Sequence, residues 1–533
     1  MENNIKKDEP EVLVKAAKGS SILVIQSIAN AILGTILFMF MARILTQTEM
    51  GIFGAITVFY NIIILIGVLG MDDAASRFLP YFHSDGYQSN TRHVAKIITL
   101  LSFLSAVIIS LFFFALSCPL SEIILGTPEY TFLFQITAPL VLVSILAFTS
   151  KGLLQGLHRF KFLAFSRLIS QIIRVISSLA LLFMGMGVAS IVIGWSFMFI
   201  IMIILSIPIV YKALFQGSNE HVHKQDDLIS TKSILWFALP MMGYRFAEFA
   251  ANSLDQLIVL NILGVPALGM YTVAHNAASL ISITIALPIM ITLIPGMSDI
   301  HGKSGEKSVS NAFNQSTHYI GLFFIPASIG LASLSPLVIK ILAGTGYDAA
   351  VFPLAILSIS SLVYGFSILC ISALAALGET RKILIAVFAS SIIDILAATI
   401  LTPFFGIIGA SLGRAIAYLA MLGFLYYLGS KKMSMKFDKT MIMGSLLSST
   451  LMAFIVYFVA QYTEFRIFLL PLYLILGLIV YLLFLSGLRI LSKNDIKFTF
   501  KLIPKGDMIF LKISKITNNS QLLSRIIKKI LNT

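Results

Sequence analysis

The sequence predicts an all-α integral membrane protein, and three observations lead to that fold class. First, 58% of the 533 residues are hydrophobic and only 12% are charged, whereas a soluble globular chain carries about 25% charged residues. Second, the apolar residues form runs of about 17 to 30 residues, long enough for helices that cross a bilayer. Third, arginine and lysine collect in every second break between those runs. This composition excludes a soluble cytosolic enzyme.

Fourteen apolar runs are separated by polar breaks, and each is expected to form one transmembrane helix. Six of them precede the hydrophilic segment 212–233 and eight follow it. Numbered as spans 1 to 14, they lie near residues 20–43, 50–70, 96–117, 130–150, 164–185, 188–211, 234–262, 268–294, 317–339, 352–377, 383–402, 406–428, 440–461 and 467–487.

The positive charges give these spans an orientation. With the N-terminus in the cytoplasm, 32 of the 38 arginine and lysine residues fall in cytoplasmic segments, as the positive-inside rule requires. The sequence therefore predicts a multi-pass protein of the plasma membrane with both termini in the cytoplasm. Every exterior loop is short, which disfavours a membrane glycosyltransferase or polymerase, because such an enzyme needs acidic catalytic groups or substantial loops at the membrane face.

An internal repeat divides the chain into two lobes. At an offset of 218 residues, segment 44–53 aligns with segment 262–271 where one helix ends and the next begins. Both halves start on the same side, so the repeats run parallel around a central cavity, a symmetry seen in alternating-access carriers. The predicted division is an N-terminal lobe at 1–211, a cytoplasmic linker at 212–233, a C-terminal lobe at 234–430, an added helix pair at 431–487 and a basic amphipathic cytoplasmic tail at 488–533.

No motif for cofactor or metal chemistry accompanies the spans. Cys118 and Cys370 lie far apart and form no ligand cluster, and no glycine-rich phosphate loop precedes a Lys-Ser or Lys-Thr pair. No basic stretch has the spacing of a nucleic-acid-binding module. We therefore expect no enzyme, no catalytic residue, no metal, no cofactor and no nucleic-acid partner. Energy for transport is expected from a coupling H⁺ or Na⁺ gradient or from a partner.

Polar residues inside the spans are the candidate functional residues. Each ionisable side chain in a bilayer costs about 2.5 to 3.5 kcal/mol on insertion scales and usually faces a water-filled cavity or a partner. In span 1, Gln26 and Asn30 form a short uncharged stripe. In span 7, four polar residues at i, i+3, i+7 and i+10 share one helix face and are expected to line the cavity. These four are Arg245, Glu248, Asn252 and Asp255.

Three further charges lie inside spans. Arg174 in span 5 is a further candidate cavity residue, and Asp394 in span 11 offers the opposite charge at similar depth. Asp394 and Arg414 of span 12 are candidates for a coupling site or an ion pair. A structural alternative stays open for all of these charges. Arg245 and Glu248 would then neutralise each other at i, i+3, and Arg174 or Arg414 would snorkel or pair within one lobe.

The ends of spans 1 and 2 carry short motifs of glycine and polar residues. They are Lys15, Ala16, Ala17, Lys18 and Gly19, then Ala42, Arg43, Ile44 and Leu45, then Glu49, Met50 and Gly51, and finally Gly70, Asp73, Ala74, Ala75 and Arg77. These motifs resemble polysaccharide-biosynthesis flippases of the multidrug, oligosaccharidyl-lipid and polysaccharide exporter superfamily. The resemblance implies fourteen helices, two lobes around a V-shaped central cavity, and movement of polyprenyl-pyrophosphate-linked glycans to the outer leaflet.

The leading function is therefore a flippase for a lipid-linked oligosaccharide, working by alternating access in surface polysaccharide or glycan synthesis. The nearest alternative is a cation-coupled exporter of small amphiphilic drugs or metabolites. In the flippase, Arg174 and Arg245 are expected to grip the pyrophosphate from two sides of one cavity, because guanidinium groups donate bidentate hydrogen bonds to phosphate. Glu248, Asp255 or Asp394 would balance them between cargoes. Membrane lipid, the lipid-linked glycan and glycan-assembly enzymes are the expected partners, and a monomer is expected to suffice.

Overall fold

The computed structural model describes residues 26–84, 88–215, 230–491 and 495 of the chain. Within these ranges the chain is helical apart from turns and contains no strand. The predicted all-α membrane fold is confirmed. The start of span 1, most of the linker 212–233 and nearly all of the tail 488–533 lie outside the described residues.

Seventeen helices follow one another along the described ranges. They are α1 Gln26–Ile44, α2 Gln47–Val68, α3 Met71–Ser84, α4 Gln88–Ala115, α5 Ser117–Leu125, α6 Thr131–Gly156, α7 Phe160–Phe183, α8 Ala189–Phe215, α9 Thr231–Leu263, α10 Val265–Ile281, α11 Leu287–Ser333, α12 Ser335–Ala343, α13 Val351–Ala376, α14 Thr380–Phe405, α15 Ile407–Ser430, α16 Lys439–Tyr462 and α17 Leu470–Gly487.

Within the described residues, each of the fourteen predicted spans coincides with helix. Eleven described helices are long and apolar enough to cross a membrane, and a twelfth is obtained if α11 and α12, which meet at 71°, count as one bent span. α9 and α10 are not among them, because charged residues interrupt α9 and α10 has only 17 residues. α10 continues through the π-helical turn Ser282–Ala286 into α11. The chain is a multi-pass membrane protein, whereas the count of fourteen spans stays a prediction.

Two polar breaks between spans are helical rather than loops. The break between spans 2 and 3 contains α3 and the first turns of α4. The break between spans 8 and 9 lies within α11, which is kinked there at Gly305, where φ is 73°. Such segments are too polar to face lipid and escape a search for long apolar runs, yet α3 buries one face at helical spacing. Its buried residues include Met71, Ala74, Ala75 and Leu79.

The helices form two lobes and an added pair. In the N-terminal lobe α6 packs against α2, α4 and α8, and α7 packs on α8. In the C-terminal lobe α13 packs against α11 and α15, and α14 packs on α15. The added helices α16 and α17 pack on each other, and α16 also packs on α11. The Tyr481 hydroxyl of α17 donates to the Leu322 carbonyl oxygen of α11 at 2.8 Å, which ties the second added helix to the lobe.

The two lobes meet where the amino-terminal turns of α2 and α10 cross. A Cβ on Gly51 would lie 1.9 Å from the carbonyl oxygen of Val265, and a Cβ on Gly269 would lie 2.0 Å from that of Gln47. Only glycine permits so close a backbone contact. The two pairs are related by the 218-residue offset of the repeat, so the crossing is pseudo-symmetric. We call these four residues the glycine seam.

A second contact between the lobes lies at the opposite end of α2, which has 22 residues and so spans about 33 Å. Gly70, with a φ of 70°, lets the Ala238 carbonyl oxygen come within 2.3 Å of where a Cβ would stand. Phe78 packs edge-on against Phe237 with ring centroids 5.7 Å apart. By the predicted orientation, this contact faces the cytoplasm and the glycine seam faces the exterior.

Candidate functional site

A cavity lies between the lobes beside Gly70. Its volume is about 340 Å³, and its walls come from α2 and α3 of the N-terminal lobe and α9 of the C-terminal lobe, with Phe148 of α6. Both lobes therefore contribute to one site. The polar residues that line it are Asn61, Asp72, Arg245, Glu248, Asn252 and Ser253.

α9 supplies most of the polar lining because its polar residues repeat at helical spacing. Arg245, Glu248 and Asn252 all line the cavity, and the Glu248 side chain is exposed there. The Asn252 amide donates to the Glu248 carbonyl oxygen at 2.8 Å, and its oxygen accepts from the Tyr418 hydroxyl at 3.1 Å. These two contacts fix the orientation of the amide towards α15.

Arg245 reaches across to the other lobe. Its Nε and Nη2 donate to the two carboxylate oxygens of Asp73, each at 2.7 Å, and Nη2 also donates to Asp72 at 3.1 Å. Lys151 of α6 lies 3.5 Å from the same Asp72 oxygen. Charged bidentate hydrogen bonds of this kind are roughly twice as strong as neutral ones. We call Asp72, Asp73, Lys151 and Arg245 the charged seam.

The partners of Arg245 differ from the expectation. The sequence predicts Glu248, Asp255 or Asp394 as the balancing charge, yet the structure pairs Arg245 with the two carboxylates of α3, 172 and 173 residues earlier in the chain. Helical spacing can relate residues of one helix, but it carries no information about contacts between lobes. The sequence feature that could have found them is the acidic pair that directly follows span 2.

Asp255 does not line the cavity, which corrects the expectation for the span 7 stripe. It is fully buried in the C-terminal lobe, about 15 Å beyond Arg245 along the helix, where α10, α14 and α15 pack against α9. Its carboxylate accepts hydrogen bonds from Arg414 and from the Tyr271 hydroxyl. Arg414 is therefore paired inside one lobe, as the structural alternative holds.

Asp394 lies in the same buried region of the C-terminal lobe. Its side chain is fully buried, and neither carboxylate oxygen has a hydrogen-bond partner among the residues that the structure describes. A carboxylate in this setting is costly to keep ionised. Its role as a coupling site stays a prediction.

Arg174 does not share the cavity with Arg245. Its guanidinium lies 4.9 Å from the centre of the Trp195 ring within the N-terminal lobe, and its Nε has no hydrogen-bond partner in the described part of the chain. Asp394 belongs to the other lobe and makes no ion pair with it. Equal depth along two helices fixes only one coordinate, so the structure does not bring the two arginines together in this cavity. A shared role of Arg174 and Arg245 in cargo binding stays a prediction.

The polar stripe of α1 also lies apart from this cavity. Gln26 is buried, and its amide atoms and the Asn30 Oδ1 lack hydrogen-bond partners within the described ranges. Neither residue is part of the cavity wall. A role for Gln26 and Asn30 in cargo binding stays a prediction.

An apolar groove that the sequence pattern does not predict lies between the C-terminal lobe and the added helix pair. α10, α11, α16 and α17 enclose about 830 Å³ between them. Phe323, Pro326 and Leu478 are typical of its walls. The Tyr473 hydroxyl forms a hydrogen bond with the Thr463 hydroxyl, and the Tyr481 hydroxyl donates to a backbone carbonyl oxygen. These polar groups of the wall therefore have hydrogen-bond partners within the protein. The groove therefore presents hydrocarbon to any occupant.

Comparison with known sequences adds a family to this geometry. A family model described as "Polysaccharide biosynthesis protein" matches residues 40–352. An uncharacterized membrane protein of Methanocaldococcus jannaschii is 26% identical over 301 residues, which cover 54% of this chain and 69% of the relative. A second uncharacterized membrane protein of that organism is 22% identical over 444 residues, which cover 79% of this chain and 85% of the relative.

Comparison with solved structures identifies the fold. The lipid II flippase MurJ in an inward closed conformation is similar over 87% of this chain and 98% of its own, with 18% identity and a TM-score of 0.66. An inward-facing multidrug-resistance MATE family transporter of the MOP superfamily is similar over 76% of this chain and 96% of its own, with 14% identity and a TM-score of 0.63. At such identities the likeness shows the fold, and the proteins that share it are flippases and transporters rather than enzymes.

Proposed function

The chain belongs to the polysaccharide biosynthesis protein family, and on that basis we propose that it is a flippase for a polyprenyl-pyrophosphate-linked oligosaccharide. It moves this cargo from the inner to the outer leaflet of the plasma membrane by alternating access between its lobes. A monomer suffices, because one chain supplies both walls of the cavity. Its partners are membrane lipid, the lipid-linked glycan and glycan-assembly enzymes, and a coupling H⁺ or Na⁺ gradient supplies the energy.

The position of Arg245 is the observation that carries the proposal. Its side chain lines the cavity between the lobes and is 33% exposed. The donor edge formed by Nε and Nη2 fits two phosphate oxygens as well as it fits the carboxylate that it now binds. Because a guanidinium stays charged even when it is desolvated, it can hold an anionic headgroup inside the membrane.

The apolar groove supports a cargo with a long hydrocarbon chain. Lipid tails and apolar side chains are similar surroundings for hydrocarbon, so an isoprenoid chain can lie in the groove at little cost relative to the bilayer. A polar headgroup is costly to bury in hydrocarbon and therefore needs the polar cavity. One protein that offers both surfaces suits an amphipathic cargo with a charged centre.

Transport by the purified protein in vesicles tests the proposal. A fluorescent polyprenyl-pyrophosphate disaccharide is expected to equilibrate between leaflets, measured by access of a membrane-impermeant quencher, only when the protein is present. Arg245→Gln should slow transport about tenfold or more, because a hydrogen bond to a charged group contributes about 1.5 to 3 kcal/mol. Arg245→Lys should keep part of the rate. The matched control Arg159→Gln removes an exposed arginine before α7 and should transport at the parental rate.

Two outcomes would overturn the proposal. The rival function is supported if the vesicles exchange a small amphiphilic cation for H⁺ or Na⁺ while the labelled lipid stays in its leaflet. Parental rates for Arg245→Gln would remove Arg245 from the cargo site.

A further inference from the structure

The ion pair of Arg245 and Asp73 does two things at once. Asp73 uses the Nε and Nη2 edge of the guanidinium, each hydrogen bond being 2.7 Å long. A phosphate therefore cannot take that edge while Asp73 holds it. Because Asp73 belongs to the N-terminal lobe and Arg245 to the C-terminal lobe, the same hydrogen bonds also keep the lobes together at the charged seam.

We propose that Asp73 is a positioning residue for transport, which holds Arg245 and closes the charged seam until the anionic headgroup of the cargo takes its place. The nature of that anion rests on the proposed function. Displacement of Asp73 by the headgroup and separation of the lobes are then one event. The protein without cargo stays closed at this seam, and the arriving anion opens it.

The exposure of the pair suits it for exchange. The side chains of Arg245 and Asp73 are 33% and 22% exposed, so an anion in the adjoining cavity can reach both. A second arginine and aspartate pair among the described residues is different, because Arg414 and Asp255 are only 3% and 0% exposed. An outside ligand cannot compete for that buried pair, which keeps the C-terminal lobe intact during exchange.

When Arg245 leaves the charged seam, the carboxylates that remain there are still stabilised by positive charge. A buried carboxylate without a counter-charge is strongly destabilising, yet Asp72, which is 2% exposed, remains beside Lys151 when Arg245 leaves. Both carboxylates lie in the first turn of α3, where the helix dipole stabilises negative charge. Arg245 can therefore be released from the charged seam because Lys151 stays beside Asp72.

The separation of the lobes can be measured directly. In protein with Cys118→Ser and Cys370→Ser, spin labels on Lys161→Cys and Thr380→Cys report the distance between the lobes by pulsed EPR. Both positions are exposed, near the amino-terminal ends of α7 and α14. The probes are geranylgeranyl pyrophosphate, which carries the anionic group, and geranylgeraniol, which carries the same hydrocarbon without it.

We expect the pyrophosphate, and not the alcohol, to deplete the short-distance population of the parent. Asp73→Asn should lose that population without any probe, and Asp73→Glu should retain it because the carboxylate is kept. The matched control Asp299→Asn removes an exposed carboxylate that pairs with Lys303 inside α11 at 2.8 Å, and its distances should equal those of the parent.

Either missing response overturns the role of Asp73. Parental distances for Asp73→Asn would show that the carboxylate does not hold the seam, and equal effects of pyrophosphate and alcohol would show that no anion displaces it. The comparison of the two probes needs no substitution at the seam, so it decides the matter even if Asp73→Asn folds poorly. An opening by pyrophosphate without glycan transport would refute the proposed function alone, whereas glycan transport without a seam response would refute this inference alone.

Discussion

The glycine seam and the charged seam join the same two lobes by different means. At the glycine seam backbone lies against backbone, and nearby Arg43 donates to the Ile341 carbonyl oxygen at 2.7 and 3.0 Å. At the charged seam side-chain ion pairs span the lobes. A backbone contact depends on shape, whereas an ion pair can be exchanged for another ion. Only the charged seam can therefore respond to an anionic ligand.

The internal repeat accounts for one seam only. The glycine seam consists of two contacts related by the 218-residue offset. The charged seam has no such pair of related contacts: within the described residues, the ion pairs that join the lobes are those of Arg245 with Asp72 and Asp73. Substitutions can therefore separate the two seams.

The largest effect is expected at the glycine seam. Gly51→Ala and Gly269→Ala each place a methyl group 2.0 Å or less from a carbonyl oxygen of the facing helix, and overpacking costs about 1 to 3 kcal/mol or more. Thermal unfolding of the purified variants should show this loss of stability. The control Gly243→Ala meets no atom within 4 Å and should be neutral or more stable by up to about 1 kcal/mol. Parental melting of both seam variants would show that the close crossing is absent.

A smaller effect is expected from the two carboxylates of the charged seam. Asp72 is 2% exposed and Asp73 is 22% exposed. After Asp72→Asn, Lys151 has little negative charge near it, whereas after Asp73→Asn, Arg245 is partly exposed and keeps Asp72 as a partner. We expect Asp72→Asn to lower the free energy of unfolding by about 1 to 3 kcal/mol and Asp73→Asn to lower it less, measured by thermal unfolding. A larger loss for Asp73→Asn would contradict the expectation that the more deeply buried Asp72 contributes more to stability than Asp73.

The smallest effect is expected from salt. Raising the ionic strength from 0.1 to 1 M shortens the screening length from about 10 Å to about 3 Å and weakens a partly exposed ion pair by up to about 1 kcal/mol. Spin labels on Lys161→Cys and Thr380→Cys should show fewer short distances in high salt. Labels on the exposed positions Glu129→Cys and Asp348→Cys, at the glycine-seam end, should not change. Equal changes in distance at both ends would show that the two seams do not differ in their sensitivity to salt.

The spans could be predicted from sequence because a bilayer selects long apolar runs, and each predicted run coincides with helix. The short helix α3 is missed by this criterion, since its stability comes from tertiary packing rather than from lipid. Gly152 of α6 lets α3 approach so closely that an added Cβ would lie 2.6 Å from the Asp72 Cα. A contact that depends on a glycine elsewhere in the chain leaves no trace in local hydropathy.

The polar face of α9 could be predicted because helical spacing brings Arg245, Glu248 and Asn252 to one wall. The pairing of Arg245 with Asp73 could not, because it depends on how two lobes meet. Arg174 shows the same limit. Its depth in the membrane is compatible with a position in the cavity, but its guanidinium packs on the ring of Trp195 in its own lobe.

The glycine crossing also acts as a fulcrum. Backbone lies against backbone at this crossing, so a rotation of α2 about it would leave the crossing in place and move the opposite end of the helix. The 22 residues of α2 then form a lever arm of about 33 Å, so a rotation of about 10° displaces its far end by about 6 Å. That displacement exceeds the 2.7 Å hydrogen bonds that now close the far end. A small angular change at one face of the membrane would therefore open a much larger gap at the other.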